Sequence, residues 1–187
     1  MGVAELDLVA ADCGVSGRTL RRAAERGAIR LSRPSPHKVV LAATERRYIR
    51  THWPLLDQLT RTLRTEKNVR LAVLFGSAAR GDDRHGSDID LLVELADYRR
   101  GGLPLARIGL KLESLLERPV KVVSVPDAET SPVLLSEAIA DGRVLIDRDD
   151  RWSGLKGRER TLRRRAREDE TRAQAEAWEA LEKLAAG

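Results

Sequence analysis

The segment Leu71–Val93 reads LAVLFGSAARGDDRHGSDIDLLV, and its interpretation decides the fold. Its two ends, Leu71–Phe75 and Ile89–Val93, are short apolar runs rich in Val, Leu and Ile. They are too short for ordinary helices and read as buried strands. Between them a polar segment opens on Gly76-Ser77 and closes on Ser87-Asp88-Ile89-Asp90. A glycine at a strand end lets backbone N–H groups come close to a ligand, and a serine hydroxyl beside it adds a donor. Such a pair is a common way to hold phosphate. Asp88 and Asp90 are two residues apart on a strand, so their carboxylates leave the same face. Two carboxylates on one face repel each other unless a cation lies between them. Hard oxygen donors facing a triphosphate are what Mg²⁺ takes.

The combination of Gly76-Ser77, Arg80-Gly81-Asp82 and Ser87-Asp88-Ile89-Asp90-Leu91-Leu92-Val93 resembles the signature of minimal nucleotidyltransferases, the small bacterial branch of the polymerase-β-like superfamily. A Gly-Ser pair alone would fit two core strands joined by a polar loop, whereas three elements in one window between strands are far more specific. The resemblance runs from Val69 to about Arg148. It implies that Gly76 and Ser77 grip the triphosphate, that Arg80 assists, and that Asp88 and Asp90 hold Mg²⁺. It implies a nucleoside triphosphate substrate, ATP foremost, whose nucleotidyl group passes to a hydroxyl of a protein or RNA. Relatives of this kind often act in toxin–antitoxin pairs, where one nucleotidylates and silences a HEPN-type ribonuclease, so a HEPN-type toxin is an expected partner.

The resemblance breaks at one position. In the family a third carboxylate on the next strand completes the metal site and helps activate the attacking hydroxyl, in a run that reads Pro-Val-Asp. Here that run is Pro119-Val120-Lys121-Val122-Val123. Lys121 therefore belongs with the catalytic positions as the place of the missing carboxylate, and it is expected to point its ammonium at Asp88 and Asp90. A positive charge there opposes tight Mg²⁺ binding. The competing reading is an edge-strand lysine that snorkels to water. Glu94 shares a face with Asp90, but four strand residues span roughly 13 Å, too far to share an ion. Asp82 and Asp83, in the approaching loop, are better placed and read as solvated.

The chain has 187 residues, enough for one ordinary domain or two small ones. At 42% hydrophobic and 34% charged it is a charge-rich globular chain. Its single cysteine, Cys13, excludes an intramolecular disulfide, and no metal-type Cys/His spacing is present. The first residues lack the basic flank and apolar run of a signal peptide, and no stretch is apolar enough to span a membrane, so a cytoplasmic protein is expected. Charge is uneven: residues 1–53 carry ten Lys/Arg against five Asp/Glu, residues 54–150 fourteen against seventeen, and residues 151–187 ten against seven. A basic front end on an acidic middle suggests a nucleic-acid-binding module joined to a metal-binding one. An arginine-rich proteome would produce the same tilt.

Leu6, Leu8, Val9 and Ala10 predict a short helix ended by Gly14, and Ser16 caps a second helix through Arg26. Helix, glycine turn and basic helix form a helix-turn-helix pattern, which makes Arg18, Thr19, Arg21 and Arg22 candidate contacts to duplex DNA. The alternative is a helical hairpin whose arginines are merely solvated. Ala28–Leu31 and Lys38–Leu41 read as a two-stranded wing around a proline-rich turn, placing Arg33, His37 and Lys38 near phosphates. Thr44 caps a helix over residues 45–52, and Pro54 opens another through Thr65, so a boundary is expected at Trp53-Pro54.

Beyond Val93, Asp97–Gly102 reads as a loop, residues 103–117 as a helix, Val120–Val125 as a strand, Val133–Ala140 as a helix and Val144–Ile146 as a last strand. Residues 151–187 read as one long charged helix that either lies across the preceding domain or pairs with a second chain as a homodimer, with Trp178 and Leu181 as the docking point. The expected architecture is thus α/β (α+β): a small mixed sheet with helices of the polymerase-β-like type at residues 54–150, a winged helix-turn-helix at 1–53, and a helical tail at 151–187. The expected function is Mg²⁺-dependent nucleotidyl transfer. The rival is a DNA-binding regulator or antitoxin whose catalytically dead nucleotidyltransferase domain serves as nucleotide sensor or partner surface; Lys121 favours the rival.

Overall fold

A computed structural model describes residues 2–35, 38–97 and 102–185. Its centre is a four-stranded mixed sheet in the order β5-β4-β3-β6, with β3 (Val69–Phe75), β4 (Ile89–Leu95), β5 (Val120–Ser124) and β6 (Arg143–Asp147). β3 pairs antiparallel with both β4 and β6, and β4 pairs parallel with β5. β3 and β4 are the inner strands, and their near-continuous apolar runs follow from burial on both faces.

The strand alternation divides the interior. Ala72, Leu74, Leu91 and Val93 face a layer made by α1 (Gly2–Asp12), α2 (Gly17–Arg26), α3 (Ala43–Thr65) and α5 (Leu103–Leu116). Leu71, Val73, Phe75 and Leu92 face α6 (Val125–Ala128), α7 (Pro132–Asp141), α8 (Arg151–Gly157) and the start of α9 (Glu159–Ala185). Between β3 and β4 lies the one-turn α4 (Gly76–Arg80). Leu20 of α2, Ile49 of α3 and Leu74 of β3 belong to one buried cluster, so the amino-terminal helices close the core over one sheet face.

Local chemistry explains the helix ends. Ser16 Oγ accepts the Thr19 N–H at 3.2 Å, capping α2, and Gly27 at φ +91° ends it in the left-handed conformation. The two-stranded ribbon lies later in the chain than the sequence suggests: β1 is Ser32–Ser35 and β2 Lys38–Val40, while Ala28 and Ile29 are drawn into the core. Pro34 is tolerated because this two-stranded ribbon consists only of edges. Arg33 and Lys38 lie on its strands; His37, like residues 98–101 of the expected loop, lies outside the described residues.

The helix break expected at Pro54 does not occur. α3 runs unbroken from Ala43 to Thr65 with Pro54 inside it. An interior proline costs about 3 kcal/mol, and here it is offset by a stripe that continues on both sides: Tyr48, Ile49 and Trp53 before it, Leu56, Leu59 and Leu63 after it, all buried. The tail also differs from expectation. It is two helices, α8 and α9, and it docks through Trp152, Leu155, Leu162 and Ala166. Trp178 is 66% exposed, because it lies beyond the last part of α9 that reaches the sheet layer. Among the described residues no helix is long and apolar enough to cross a membrane.

Candidate active site

β3 ends at Phe75, directly opposite Asp90 of β4. The chain turns there through Gly76 at φ +71°, and a Cβ on Gly76 would lie 2.6 Å from Asp90 Oδ2. Only glycine lets the turn and the Asp90 carboxylate share that space. α4 then carries Ser77 and Arg80, and Gly81 at φ +87° ends it with its backbone against the Tyr48 ring. One strand–turn–strand unit thus carries Gly76, Ser77, Asp88 and Asp90, and it sets Gly76 against the Asp90 carboxylate.

Lys121 lies beside them. The parallel register pairs it with Asp90, and its Nζ is 2.5 Å from Asp88 Oδ2. The hydrogen bond to Asp88 raises the Lys121 pKa above the usual lysine value, so the amine remains an ammonium. Burial pushes the Asp90 carboxyl up from its usual value; Lys121 draws it back down and Asp88 pushes it further up. Among the described residues no three His, Cys, Asp or Glu side chains gather as a metal site. Two carboxylates, one already paired with an ammonium, do not fit a tightly held divalent ion, which takes several oxygen donors and a surplus of negative charge.

The remaining candidates have definite places. Arg80 donates to Asp141 of α7 at 2.7 Å and to Asp82 at 3.2 Å, and these bonds raise its pKa. Asp83 is half-buried and ion-paired rather than solvated: its carboxylate meets His52 Nε2 at 2.8 Å and Arg118 Nη2 at 2.9 Å. Burial pushes the Asp83 carboxyl up, but the bonds from His52 and Arg118 outweigh it and leave it below its usual value. Arg118 also donates to the Ser87 carbonyl at 2.8 Å, tying down the loop that delivers Asp88. Glu94 is engaged with Arg151, away from the aspartate pair. In the amino-terminal part, Arg21 pairs with Asp7 of α1 at 2.8 Å, while Arg18, Thr19 and Arg22 line a cleft between α2 and α3.

Sequence reasoning missed what holds this unit from behind. Arg143 of β6, 1% exposed, donates to both Glu45 oxygens at 2.6 and 3.0 Å, to the Ala79 carbonyl at 2.6 Å and to the Ala28 carbonyl at 3.1 Å. Its guanidinium also lies 3.4 Å from the centre of the Tyr48 ring, which stacks on His52. No local pattern marks these residues as partners, since Glu45 and Arg143 are 98 positions apart.

Fold and site together define a nucleotidyltransferase-type domain. The family model for polymerase beta nucleotidyltransferases matches residues 57–151, just over half of the chain, and the chain belongs to that family. Among solved structures, a toxin–antitoxin complex with AMP-PNP is 23% identical over 67% of this chain and 98% of its own, with a TM-score of 0.53. The MntA–HepT toxin–antitoxin structure is 21% identical over 69% and 98%, at a TM-score of 0.50. A tri-AMPylated HEPN toxin in complex with its MNT antitoxin, from Shewanella oneidensis, gives 21% identity over 70% and 98%, also at 0.50. At these identities the likeness establishes the fold. No curated protein sequence matches this chain.

Proposed function

We propose that the chain binds a nucleoside triphosphate, ATP foremost, on Gly76 and Ser77, and that Lys121 holds its nucleotidyl transfer low. The acceptor would be a hydroxyl on RNA or on a HEPN-type toxin partner. The observation that carries the binding half is Gly76: its positive φ and its contact with Asp90 keep a strand end free of side chain beside two carboxylates. The fold shared with a toxin–antitoxin complex that contains AMP-PNP supports the ligand class. The observation that carries the second half is the Lys121–Asp88 ion pair, which places a cation on a carboxylate that the family uses for Mg²⁺.

The same pair favours a second reading, in which transfer is absent and the nucleotide acts as a signal to a partner surface. One experiment separates the two. Calorimetry with each common triphosphate tests binding, and Ser77→Ala should weaken it by about 1.5–3 kcal/mol, the value of a hydrogen bond to a charged oxygen. Transfer of label from ATP to RNA or to a HEPN-type ribonuclease is then compared for the unaltered chain and Lys121→Asp. Slow transfer that rises in Lys121→Asp and disappears when Asp88→Asn is added supports the first reading. Binding with no transfer by either protein supports the second. Absence of triphosphate binding rejects both.

A further inference from the structure

The amino-terminal helices contain a second concentration of charge that nucleotidyl transfer does not use. Between α2 and the carboxy-terminal half of α3 lies a cleft of about 270 Å³ lined by Arg18, Arg22, Arg26, Arg61 and Arg64. Asp57 is the carboxylate that lines it, and this group is bonded to Arg61 Nε at 2.8 Å. Among the described residues five arginines line the cleft against the paired Asp57, with Glu25 acting on Arg26 from beside it, and the concavity stays net positive. The buried Trp53 and the Ser16 and Thr19 end of α2, where the helix dipole is positive, also line it.

Arginines on a helix surface are ordinarily solvated, and Arg26 departs from that pattern. Its Nε is buried and has no hydrogen-bond partner among the described residues. Burial, followed by repulsion from Arg64 and Arg22, also lowers its pKa from the usual arginine value, with Glu25 drawing it only partly back. A buried N–H left without an acceptor is unfavourable, and gathered like charges add to the cost. An oxyanion in the cleft would relieve both, and the planar guanidinium fork matches phosphate geometry.

We infer that the cleft between α2 and α3 is a binding site for phosphate groups, taken either from a free polyphosphate or from the backbone of a nucleic acid strand. With Arg61 already paired to Asp57, the four remaining lining arginines, Arg18, Arg22, Arg26 and Arg64, exceed the need of a single phosphate and suit a ligand that presents at least two. The site is separate from the aspartate pair. The cleft lies among the helices on one side of the sheet, whereas Asp90 shares a strand face with Leu92, which packs with α7 and α8 residues on the other side.

The test uses the full chain and two probes, inorganic pyrophosphate and a short single-stranded oligonucleotide, titrated by calorimetry at low and moderate salt. Arg26→Met and Arg64→Met should each reduce affinity for the bound probe at least tenfold. Arg22→Met, at an exposed position that cannot perturb the core, should reduce it several-fold. The Arg26 Nε–H resonance should shift on titration, a signal that a purely structural arginine would not give. Ser77→Ala should leave this binding unchanged, which keeps failure of the cleft distinct from failure of the nucleotide site. Pyrophosphate binding without oligonucleotide binding identifies a free polyphosphate as the source; tighter oligonucleotide binding that displaces pyrophosphate identifies a strand backbone. Equal affinity in all three arginine variants, or loss of pyrophosphate binding only in Ser77→Ala, would overturn the inference.

Discussion

Replacing Arg143 by alanine should destabilise the whole chain rather than one part of it. The substitution removes both bonds to Glu45, the bonds to the Ala79 and Ala28 carbonyls, and the cation that covers the Tyr48 ring. Glu45, 6% exposed, would keep only the Arg30 backbone N–H at 2.9 Å among its described bonds. Breaking a buried pair by removing one partner costs about 3–5 kcal/mol, because the other charge is left uncompensated. At about 2–4 °C per kcal/mol for a chain of this size, ~4 kcal/mol lowers Tm by about 8–16 °C. Replacing both partners, Glu45→Leu with Arg143→Met, should cost clearly less than the sum of the single changes, because no charge is stranded. The assay is thermal and urea unfolding of the two single variants and the double variant, followed by circular dichroism and tryptophan fluorescence. Arg143 bonds to the amino-terminal helices, to α4 and to the sheet at once, so both probes should give one coincident transition. Additive single and double changes, or an Arg143→Ala shift below about 1 kcal/mol, would refute the argument.

Three further outcomes follow from single positions. Gly76→Ala should cost about 1–2 kcal/mol for its left-handed conformation, plus the clash with Asp90, and should abolish triphosphate binding in calorimetry. Asp83 titrates below its usual value in the folded chain, so its stabilisation is complete above the ordinary aspartate pKa of 3.8 and is lost as pH falls through the lower folded value. Asp83→Asn should therefore lower Tm at pH 7, with a deficit that shrinks in acid; a deficit independent of pH would contradict the ion-pair account. Pro54→Ala should raise stability, by up to about 3 kcal/mol, because Pro54 lies inside a continuous helix. No change on urea unfolding would indicate that the helix is already interrupted there.

The centre of the sheet was legible because the inner strands β3 and β4 are buried on both faces and read as near-continuous apolar runs, and because Gly76 and the Asp88/Asp90 pair mark the turn between them. The place of Lys121 was expected from the family resemblance, which sets position 121 on the next strand; the parallel register that pairs it with Asp90 was not readable from the residues. What remained hidden depends on distant partners. Arg143 falls between the expected helix Val133–Ala140 and the expected strand Val144–Ile146, where the sequence gives it no role, and only the fold brings Glu45 to it. Asp83 reads as loop until His52 and Arg118 arrive from elsewhere in the chain. Pro54 reads as a helix start because its local signal is strong, and the apolar stripe that overrides it gains its stabilisation only against the sheet. Within the chain the tail reaches the core through Trp152, Leu155 and Leu162 and not through Trp178, which the sequence marks only as a large apolar residue.

The continuous α3 also bears on how the amino-terminal helices can be studied. A cut at Trp53-Pro54 would divide a helix whose buried stripe runs from Tyr48 to Leu63. It would also separate Glu45 and the Ala28 carbonyl from Arg143 and expose Leu20, Ile49 and Trp53, which share their cluster with sheet residues. Fully burying one such side chain is worth about 1.5–3 kcal/mol, so losing the partners of three removes an amount comparable to the whole stability of a small domain. Residues 1–53 alone are therefore expected to show no cooperative thermal transition and poorly dispersed amide resonances, and any DNA binding should be measured on the full chain. A fragment that melts cooperatively with dispersed resonances would show that the amino-terminal helices fold independently, and that their contacts with Arg143 and the sheet are a docking surface instead of part of their core.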